Sequence, residues 1–508
     1  MIRRAATAGL VALAALAVTP VAHAQAPLPA LRIALREDPD ILDPTLARTY
    51  VGRIVFTALC DKLFDINERL EIVPQLATAY RWEDPRTLLI TLREGVKFHD
   101  GESMDAAAVV YSLNRHLNLQ GSFRRSEINT MELVEVVDAR TVRIRLSAPN
   151  AAFLAQLTDR AGMILSPKAA EAAGRNFGNR PVCAGPFRFV ERIAQDRIVL
   201  ERFPDYWDAS RVHFSRVTYL PIPDNNARLA NVQSGAVEFG ERMEPDDIRA
   251  VSRNRNLRAV PVEELGYQGI TINVGNGPRA NTPMGRNARV REAFELSLDR
   301  AAINQVVYEG MYTPTRQPVP PANPFHIRNF QPEPRNVARA QQLLREAGVT
   351  TPLQVELTVP NNADLRQAGE VIQAMAREAG FDVRLRAMEF ASSLQAAQRG
   401  EFELYLVGWS GRTDPDGNIY SFTHSTGGQN DGRYANPEVD ALLDQSRAEN
   451  DPARRLALLT RINEISLQQD RHRIYVWHRK NIMIHATRLT GYRPIADGMI
   501  RLQDMRLN

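Results

Sequence analysis

The alternation of helices and strands in the second half of the chain restricts the fold more than any other feature of the sequence. Past residue 285, three helical patterns alternate with three strand patterns, the helices at 289–307, 337–347 and 369–379 and the strands at 354–359, 382–386 and 403–407. Gly348 and Gly380 stand where two of these helices end, each a short gap before a β-branched strand. Such alternation is typical of helices packed on a sheet in α/β proteins, so the second half is predicted to be an α/β lobe.

The first half is composed mainly of short predicted strands. They lie at 31–35, 87–92, 134–138, 141–146, 198–202 and 217–220. Asp105 is expected to cap an amphipathic helix that runs to about His116. Proline-rich segments at 221–223 and 314–334 are interpreted as a crossover between lobes and as a surface loop, respectively.

The length and the charge balance exclude several classes of protein. A chain of 508 residues suggests two or three domains, and 44% hydrophobic residues supply more than one core. The 63 basic residues nearly balance 59 acidic ones, and the arginines are scattered along the chain. Nucleic-acid binding requires a concentrated basic face, so the sequence gives it no support.

The N-terminus has the pattern of a secretory signal peptide. Arg3 and Arg4 precede an apolar stretch from 8 to 18, which is followed by the small-residue triplet at 22–24. Residues 1–24 are therefore expected to be removed, leaving a soluble, exported chain that starts at Gln25. The apolar stretch, about ten residues long, is too short to span a bilayer. Because no cysteine lies near the cleavage site, a lipid anchor is not expected.

The only two cysteines are Cys60 and Cys183. In an oxidising compartment such a pair is expected to form one disulfide, although two separate buried thiols are the alternative. The nine histidines show no metal-ligand spacing on a common helical face. The sequence therefore predicts a disulfide and no metal site.

Three short motifs resemble functional loops but depart from them. Gly275-x-Gly277-x-x-Ala280 lacks the helix that a dinucleotide loop needs, because a proline follows at 283. The segment 408–412 has its second glycine one place too early for a nucleophile elbow, and 414–417 has its glycine too early for a calcium loop. No catalytic constellation stands out, so the sequence favours a protein that is not an enzyme and needs no cofactor.

A series of motifs in a fixed order identifies a family resemblance. The motifs are Ile41-Leu42-Asp43-Pro44, Pro74-Gln75-Leu76-Ala77, the run from Leu92 to Gly101, Val110-Tyr111-Ser112, Ala184-Gly185-Pro186-Phe187, Asp205-Tyr206-Trp207, Gln233-Ser234-Gly235, Val290-Arg291-Glu292-Ala293, Asp299-Arg300, Ala340 to Gly348, Gly408-Trp409-Ser410 and Asn436 to Leu443. Together they resemble the extracytoplasmic solute-binding proteins of the peptide/nickel class (family 5) of ABC importers, dipeptide- and oligopeptide-binding proteins among them. The resemblance covers essentially the whole mature chain.

The resemblance implies a two-lobe α/β fold of the periplasmic-binding-protein type (class II-like). In such proteins two lobes joined by two crossovers close about a hinge on a ligand held between them. The first lobe is expected at 25–262 plus 486–508, with a mainly β subdomain at about 61–180, and the second at 263–485. A short peptide or other small solute and inner-membrane permease subunits are the implied partners, the location is the periplasm, and the chain is expected to be a monomer.

Ligand contacts are expected from loops that face the cleft. By resemblance, Asp38 after the first strand and Tyr111 on the helix capped by Asp105 match cleft positions. Tyr267 and Gln268, close to the crossover, are further candidates.

Trp409, Ser410 and Gly411 follow the strand at 403–407, and the end of such a strand is where α/β sheets place ligands.

One departure from the family concerns the charge of the ligand. Peptide-binding members carry an Asp shortly after the Gly-Trp pair, which binds the ligand's ammonium group, whereas this chain has Arg412 there and Asp414 two residues on. If Arg412 faces the cleft, it favours a carboxylate or phosphate, while Asp414 would favour an ammonium.

The sequence therefore leaves two hypotheses for the charge of the ligand. Short peptides are the first hypothesis, and anionic small molecules, glutathione-like or opine-like, are the alternative. A nickel complex fits least well. An exported hydrolase that uses the same cleft is the rival functional class.

Overall fold

The computed structural model describes residues 28–508, and the proposed signal peptide lies outside the described residues. Its strands are β1 (Ala30–Leu35), β2 (Phe64–Ile66), β3 (Ile72–Pro74), β4 (Ala77–Asp84), β5 (Thr87–Leu92), β6 (Met131–Asp138), β7 (Thr141–Leu146), β8 (Phe187–Ile193), β9 (Arg197–Arg202), β10 (Arg216–Pro221), β11 (Phe239–Gly240), β12 (Leu257–Glu263), β13 (Tyr267–Ile272), β14 (Thr313–Pro314), β15 (Leu353–Pro360), β16 (Phe381–Met388), β17 (Leu404–Trp409), β18 (Arg473–His478), β19 (Lys480–Ala486), β20 (Leu489–Thr490) and β21 (Arg506–Leu507).

Helices connect many of these strands. They are α1 (Tyr50–Leu59), α2 (Ala106–Asn118), α3 (Arg125–Ile128), α4 (Phe153–Gln156), α5 (Pro167–Ala173), α6 (Asn225–Gln233), α7 (Pro245–Val251), α8 (Pro283–Arg286), α9 (Ala288–Leu296), α10 (Arg300–Tyr308), α11 (Val337–Glu346), α12 (Ala363–Glu378), α13 (Phe390–Gln398), α14 (Asp416–Thr423), α15 (Pro437–Ala448) and α16 (Pro452–Asn463), with 3₁₀ turns at Arg160–Gly162, Gly174–Asn179, Ala209–Arg211 and Pro278–Ala280 and a π-helical turn at Glu464–Gln469. Among residues 28–508, none of the helices combines the length and the apolar composition that a membrane crossing would need.

Two large sheets define two lobes, as predicted. The first lobe carries a seven-stranded sheet in the order β12-β19-β11-β1-β10-β9-β8, and the second carries a six-stranded sheet in the order β14-β18-β13-β17-β15-β16. In the first, β1 runs parallel to both of its neighbours, and in the second, β15 runs parallel to β16 and β17. The carboxyl ends of these parallel strands are the places where α/β sheets form ligand sites.

Two short crossovers join the lobes. The first lies between β12 and β13 at 264–266, and the second is Arg479, between β18 and β19. The crossovers contact each other, because the backbone N–H of Glu264 donates to the carbonyl of Arg479 (3.0 Å). A hinge made of two adjacent strands of chain follows from this geometry.

Two interpretations of the connections need correction. Residues 480–485 were placed in the second lobe, but β19 pairs with β12 along its whole length, so the chain returns to the first sheet at Arg479. The proline-rich segment at 221–223 joins β10 to α6 within the first lobe rather than crossing between lobes. Part of the predicted surface loop at 314–334 is buried, at 315–320.

A smaller antiparallel sheet, β4-β5-β7-β6, packs with α2 on the first lobe and has a hydrophobic core cluster of its own. Asp105 caps α2 as predicted, since its side chain accepts from the N–H of Ala108 (3.0 Å). Cys60 at the end of α1 and Cys183 before β8 form a disulfide, which confirms that pairing.

The α/β alternation of the second lobe is confirmed, with one difference. The predicted helix at 289–307 is two helices, α9 and α10, because Asp299 caps a new helix by accepting from the N–H of Ala302 (2.9 Å). Gly348 and Gly380 both have positive φ (68° and 99°), as expected where a helix ends.

Candidate functional site

A cavity lies between the lobes beside the hinge, and we call it the interlobe cavity. Its volume is about 60 Å³, which is room for only a few waters. The first lobe contributes residues that follow β1, and the second contributes the ends of β15 and β17. The cavity therefore lies at the carboxyl ends of parallel strands from both lobes.

The charged lining of the interlobe cavity is mainly positive. It consists of five arginines and two acidic residues, Arg36, Arg48, Arg242, Arg473, Arg479, Glu37 and Asp431. Aromatic side chains, among them Trp409 and Phe422, form the apolar part of the wall. Apolar walls combined with a few fixed charges are typical of sites that bind small solutes.

Arg36 and Arg48 of the first lobe pair with carboxylates of the second. The guanidinium of Arg36 donates to Asp364 and lies 3.3 Å from Glu244 of its own lobe. The guanidinium of Arg48 lies 2.6 Å from the carboxylate of Asp431. These two arginines therefore connect the lobes beside the cavity.

Arg242 pairs instead at the hinge. Its guanidinium donates to Glu264, which lies in the crossover, and it stacks 3.7 Å above the ring centroid of Tyr50.

Arg473 lies at the start of β18 and is 4% exposed. Its Nη1 donates to the hydroxyl of Tyr267 (3.3 Å), and its guanidinium lies 5.0 Å from the ring centroid of Phe422. Its Nε has no hydrogen-bond partner among the described residues. A buried guanidinium with an unused donor beside a cavity is suited to bind an acceptor there.

Arg479 is the second cation without a close carboxylate. Its Nη2 donates to the side-chain oxygen of Gln268, and its nearest carboxylate, on Glu264, is 3.9 Å away. Its Nε also lacks a hydrogen-bond partner within residues 28–508. Arg473 and Arg479 thus both line the cavity with an unused guanidinium donor.

Glu37 follows Arg36 in the loop after β1 and is 7% exposed. Its carboxylate forms no hydrogen bond or ion pair with any side chain of residues 28–508. Burial raises the pKa of Glu37 to about 7, although Arg36, Arg242 and Arg479 act in the opposite direction. A cationic partner would stabilise the ionised form of such a buried carboxyl group.

Trp409 and Ser410 line the cavity, as does Gln268, so the structure brings these three predicted residues together. The indole N–H of Trp409 donates to Asn418 (3.1 Å), which fixes the ring as a wall. The hydroxyl of Ser410 accepts from Arg53 of the first lobe (2.8 Å).

Arg412, a predicted ligand contact, is not part of the cavity lining. Its Nη2 donates to Asp159 of the first lobe (3.0 Å), and its guanidinium stacks on Trp409, 4.4 Å from the ring centroid. Asp159 also accepts from Arg53 of its own lobe (2.8 Å). We call Arg53, Asp159 and Arg412 the clasp.

The clasp is almost fully buried, each of its side chains being at most 8% exposed. Burial opposes the ionisation of Asp159, but the guanidiniums of Arg412, Arg53 and Arg160 hold its pKa well below the usual range. The clasp is therefore a charged contact between the lobes at neutral pH.

Five other predicted residues are not part of the cavity lining. Asp38 accepts from Arg192 (3.0 Å) and from the N–H of Gln195 (3.1 Å), both in its own lobe. Tyr111 packs against the core of the first lobe. These two residues are thus held by local contacts rather than brought to the cavity.

Tyr267 is fully buried, and only its hydroxyl reaches toward the site, through Arg473.

Gly411 and Asp414 are structural as well. Gly411 has φ of +79°, and a Cβ there would meet the backbone of Leu265 at 2.2 Å, so only glycine fits against the crossover. Asp414 receives two hydrogen bonds from Arg455 (2.8 and 2.7 Å). Asp414 is therefore already neutralised by a neighbour.

Sequence reasoning missed Glu37, Arg473 and Arg479. Two signals for them exist in the sequence. Glu37 is adjacent to Asp38, which the sequence predicts as a cleft residue. Arg473 directly precedes the strongly apolar run 474–477, and Arg479 follows it after one residue. A charged residue next to a fully buried strand is a candidate for function because burying a charge is costly.

Comparisons with known proteins agree with this geometry. The family model for bacterial extracellular solute-binding proteins, family 5 (middle) matches residues 71–430. The glutathione-binding protein GsiB of Salmonella paratyphi A is 28% identical over 479 residues, which is 92% of each chain.

Solved structures show the same fold. The ABC transporter-associated periplasmic binding protein DppA from Helicobacter pylori, in complex with the peptide STSA, superposes with a TM-score of 0.86 at 22% identity, over 94% of this chain and 98% of DppA. The murein tripeptide binding protein MppA of Escherichia coli gives 0.87 at 22% identity, over 95% and 99%. The chain belongs to the bacterial extracellular solute-binding proteins of family 5.

Proposed function

We propose that this solute-binding protein is the periplasmic component of an ABC importer and that it holds a short peptide or peptide-like solute with at least one carboxylate in the interlobe cavity. The observation that carries the proposal is Arg473, which is buried, lines the cavity and has an Nε without a partner in residues 28–508. Arg479 and Gln268, which are hydrogen-bonded to each other, line the same cavity. A carboxylate that enters the cavity would receive charge-assisted hydrogen bonds from this group.

The transport role is supported by the relatives. DppA is described as associated with an ABC transporter, and GsiB as a binding protein for glutathione. By analogy, the protein would be exported with cleavage after residue 24, act as a monomer in the periplasm and deliver its solute to inner-membrane permease subunits. The role of the cavity is binding, not catalysis.

Glutathione is the first ligand to test among the anionic solutes. It is a tripeptide with two carboxylates, and the GsiB relatives are named for it. An opine-like acid is the second candidate of the same chemical class, because it also offers carboxylates to Arg473 and Arg479.

Capture would require the lobes to move. The interlobe cavity is far smaller than the roughly 300 to 1,000 Å³ of typical small-molecule sites, so a tripeptide enters only when the lobes separate. A ligand that binds the closed form better than the open one then shifts the population toward closure. Small-angle scattering should show a smaller radius of gyration when ligand is added to stripped protein, and an unchanged profile at saturation would contradict this mechanism.

The ligand itself is identified by native mass spectrometry of the purified protein, followed by calorimetry with glutathione and with glutathione amidated at its carboxylates. Replacement of Arg473 by Gln removes the charge and is expected to weaken binding of glutathione by about thirty-fold or more. The amidated ligand should lose much less, because it has no carboxylate for Arg473. Arg366→Gln, an exposed position on α12 of the same lobe, is the matched control. Equal affinities of wild type and Arg473→Gln for glutathione would refute the proposed role.

A further inference from the structure

The charges around the interlobe cavity do not cancel within the protein. Asp364, Asp431 and Glu264 pair with Arg36, Arg48 and Arg242, respectively, as described above. Once these three pairs are set aside, Arg473, Arg479 and Glu37 remain on the cavity wall. Of these, Arg479 keeps only a long contact of 3.9 Å to Glu264, which Arg242 already engages more closely.

Glu37 is placed to meet a ligand rather than a protein group. It lies on the first lobe, whereas Arg473 belongs to the second lobe and Arg479 to the hinge, so a solute between the lobes can touch both kinds of charge. The guanidinium of Arg36, its sequence neighbour, is turned to Asp364, and that of Arg242 is turned to Glu264. Neither arginine forms an ion pair with Glu37 across residues 28–508.

A buried carboxyl group without a partner is costly to ionise, and its pKa of about 7 reflects that cost. A ligand ammonium in contact with Glu37 would offset the cost, because an opposite charge at short distance favours the ionised carboxylate. A neutral ligand group offers no such compensation.

We propose that Glu37 binds an ammonium group of the ligand, so that the solute is a zwitterion with one ammonium and up to two carboxylates. The inference rests on the proposed function, since Arg473 and Arg479 bind the carboxylates. It replaces the sequence expectation that an acid or base after the Gly-Trp pair reads the ligand's charge. Those positions, Arg412 and Asp414, are engaged by Asp159 and Arg455.

The test compares ligands that differ only in the ammonium group. The probes are glutathione and desaminoglutathione, and L-alanyl-L-glutamate and its desamino analogue, propionyl-L-glutamate, measured by calorimetry. Wild type is expected to prefer the amine-bearing member of a pair by about thirty-fold or more, the loss typical of an unpaired charge in a desolvated site. Glu37→Gln should reduce that preference to about threefold or less, since it keeps the shape and removes the charge.

Glu403→Gln is the matched control. Glu403 is 6% exposed, lies outside the cavity and accepts one backbone hydrogen bond that glutamine can also accept. This variant should keep the full preference for the amine. Melting temperatures verify that both variants are folded. The comparison of the affinities of wild type for the two ligands of a pair does not depend on any variant.

A second readout is the release of protons on binding. The charged groups near Glu37 are Arg36, Arg242, Arg479 and Glu241. An ammonium added to this set lowers the pKa of Glu37, so binding near pH 7 should release protons. Calorimetry in buffers of different ionisation enthalpy measures this release, which Glu37→Gln should abolish.

Each result separates the two proposals. Equal wild-type affinities within a pair, or a preference that persists in Glu37→Gln, would overturn the role of Glu37 and leave the carboxylate site intact. If no carboxylate-bearing probe binds to wild type, the proposed function itself fails and this inference falls with it.

Discussion

In the clasp, the carboxylate of Asp159 lies between Arg53 of the first lobe and Arg412 of the second, whereas in the interlobe cavity Arg473 has no carboxylate partner among the described residues. Both regions bury guanidinium groups at the same interface between lobes. In the clasp the protein itself supplies the counter-charge. Under the proposed function, the solute supplies it in the cavity, so the paired charges would hold the lobes together and the unpaired ones would recognise the solute.

The two regions also shift the pKa values of their carboxyl groups in opposite directions. Three guanidiniums hold the pKa of Asp159 well below its usual range, although burial opposes this. Burial raises the pKa of Glu37 to about 7. The pKa values differ because the Asp159 carboxylate accepts hydrogen bonds from three arginines, Arg53, Arg160 and Arg412, whereas the Glu37 carboxylate accepts none from the arginines of residues 28–508.

The largest effect is expected from Asp159→Asn. It leaves the guanidiniums of Arg53, Arg160 and Arg412 buried without a carboxylate, and removal of one partner from such a pair costs about 3 to 5 kcal/mol. Urea unfolding of the stripped protein measures the loss. Asp196→Asn, at an exposed turn where the carboxylate pairs with Arg197, is the control and should change stability by at most about 1 kcal/mol. A clasp variant as stable as this control would show that the clasp charges do not matter.

The second prediction concerns pH and Glu37. The folded-state pKa of about 7 lies above the ordinary value of 4.5, so the folded protein binds the extra proton between these two pH values. The contribution of the Glu37 carboxyl to the free energy of unfolding is therefore full below pH 4.5. It is lost as the pH rises through 7, by up to about 3 kcal/mol at 1.36 kcal/mol per pKa unit. The difference between wild type and Glu37→Gln, measured by urea unfolding from pH 4.5 to 8, isolates this residue.

Asp61 and Glu244 also have raised pKa values, of about 7 and about 8, and contribute equally to both proteins. Asp159 acts with the opposite sign, because its depressed pKa gives stability that is lost only as pH falls below about 4. Identical pH profiles for wild type and Glu37→Gln would contradict the state assigned to Glu37.

The third prediction is that Arg412→Gln lowers affinity without changing selectivity. Asp159 keeps Arg53 and Arg160 after this change, so the cost is smaller than that of Asp159→Asn, about 1 to 2 kcal/mol. Because Arg412 connects the lobes and does not line the cavity, glutathione and its amidated form should weaken by the same factor. Calorimetry with both ligands measures the two affinities. A loss of affinity confined to the ligand with free carboxylates would show that Arg412 contacts the ligand, which would contradict this prediction.

Much of the fold could be predicted from the sequence because its signals are local. Asp105 and the glycine at 348 act through their own backbone neighbours, so their roles were visible in the pattern. The break at Asp299 was missed because the apolar periodicity continues across it. Strand β19 was misplaced because a buried apolar strand has the same pattern in either sheet.

The site was less predictable because it depends on pairing across the lobes. Trp409 and Ser410 are predictable from their position after the strand at 403–407, and Gln268 from its place near the crossover, and all three line the cavity. Whether an arginine faces a ligand or a carboxylate depends on residues far away in the chain, as with Arg412 and Asp159, which are 253 positions apart. No local pattern distinguishes such an arginine from Arg473.

The smallest effect is expected at the neutral contact between the lobes. The hydroxyls of Ser126 and Ser421 lie 2.9 Å apart, one from each lobe, and both are buried. A neutral hydrogen bond contributes about 0.5 to 1.5 kcal/mol net. Replacing both serines by alanine removes donor and acceptor together, and the N–H of Gly428 loses only a long contact of 3.4 Å to Ser126. The double-mutant cycle of Ser126→Ala and Ser421→Ala should therefore give a coupling energy of about 1 kcal/mol or less in glutathione affinity.

The matching cycle of Asp159→Asn and Arg412→Gln should give a larger coupling, since Asp159 is the only carboxylate of the clasp. A serine coupling as large as that of the charged pair would mean that closure is governed by shape and hydrogen bonding rather than by the buried charges.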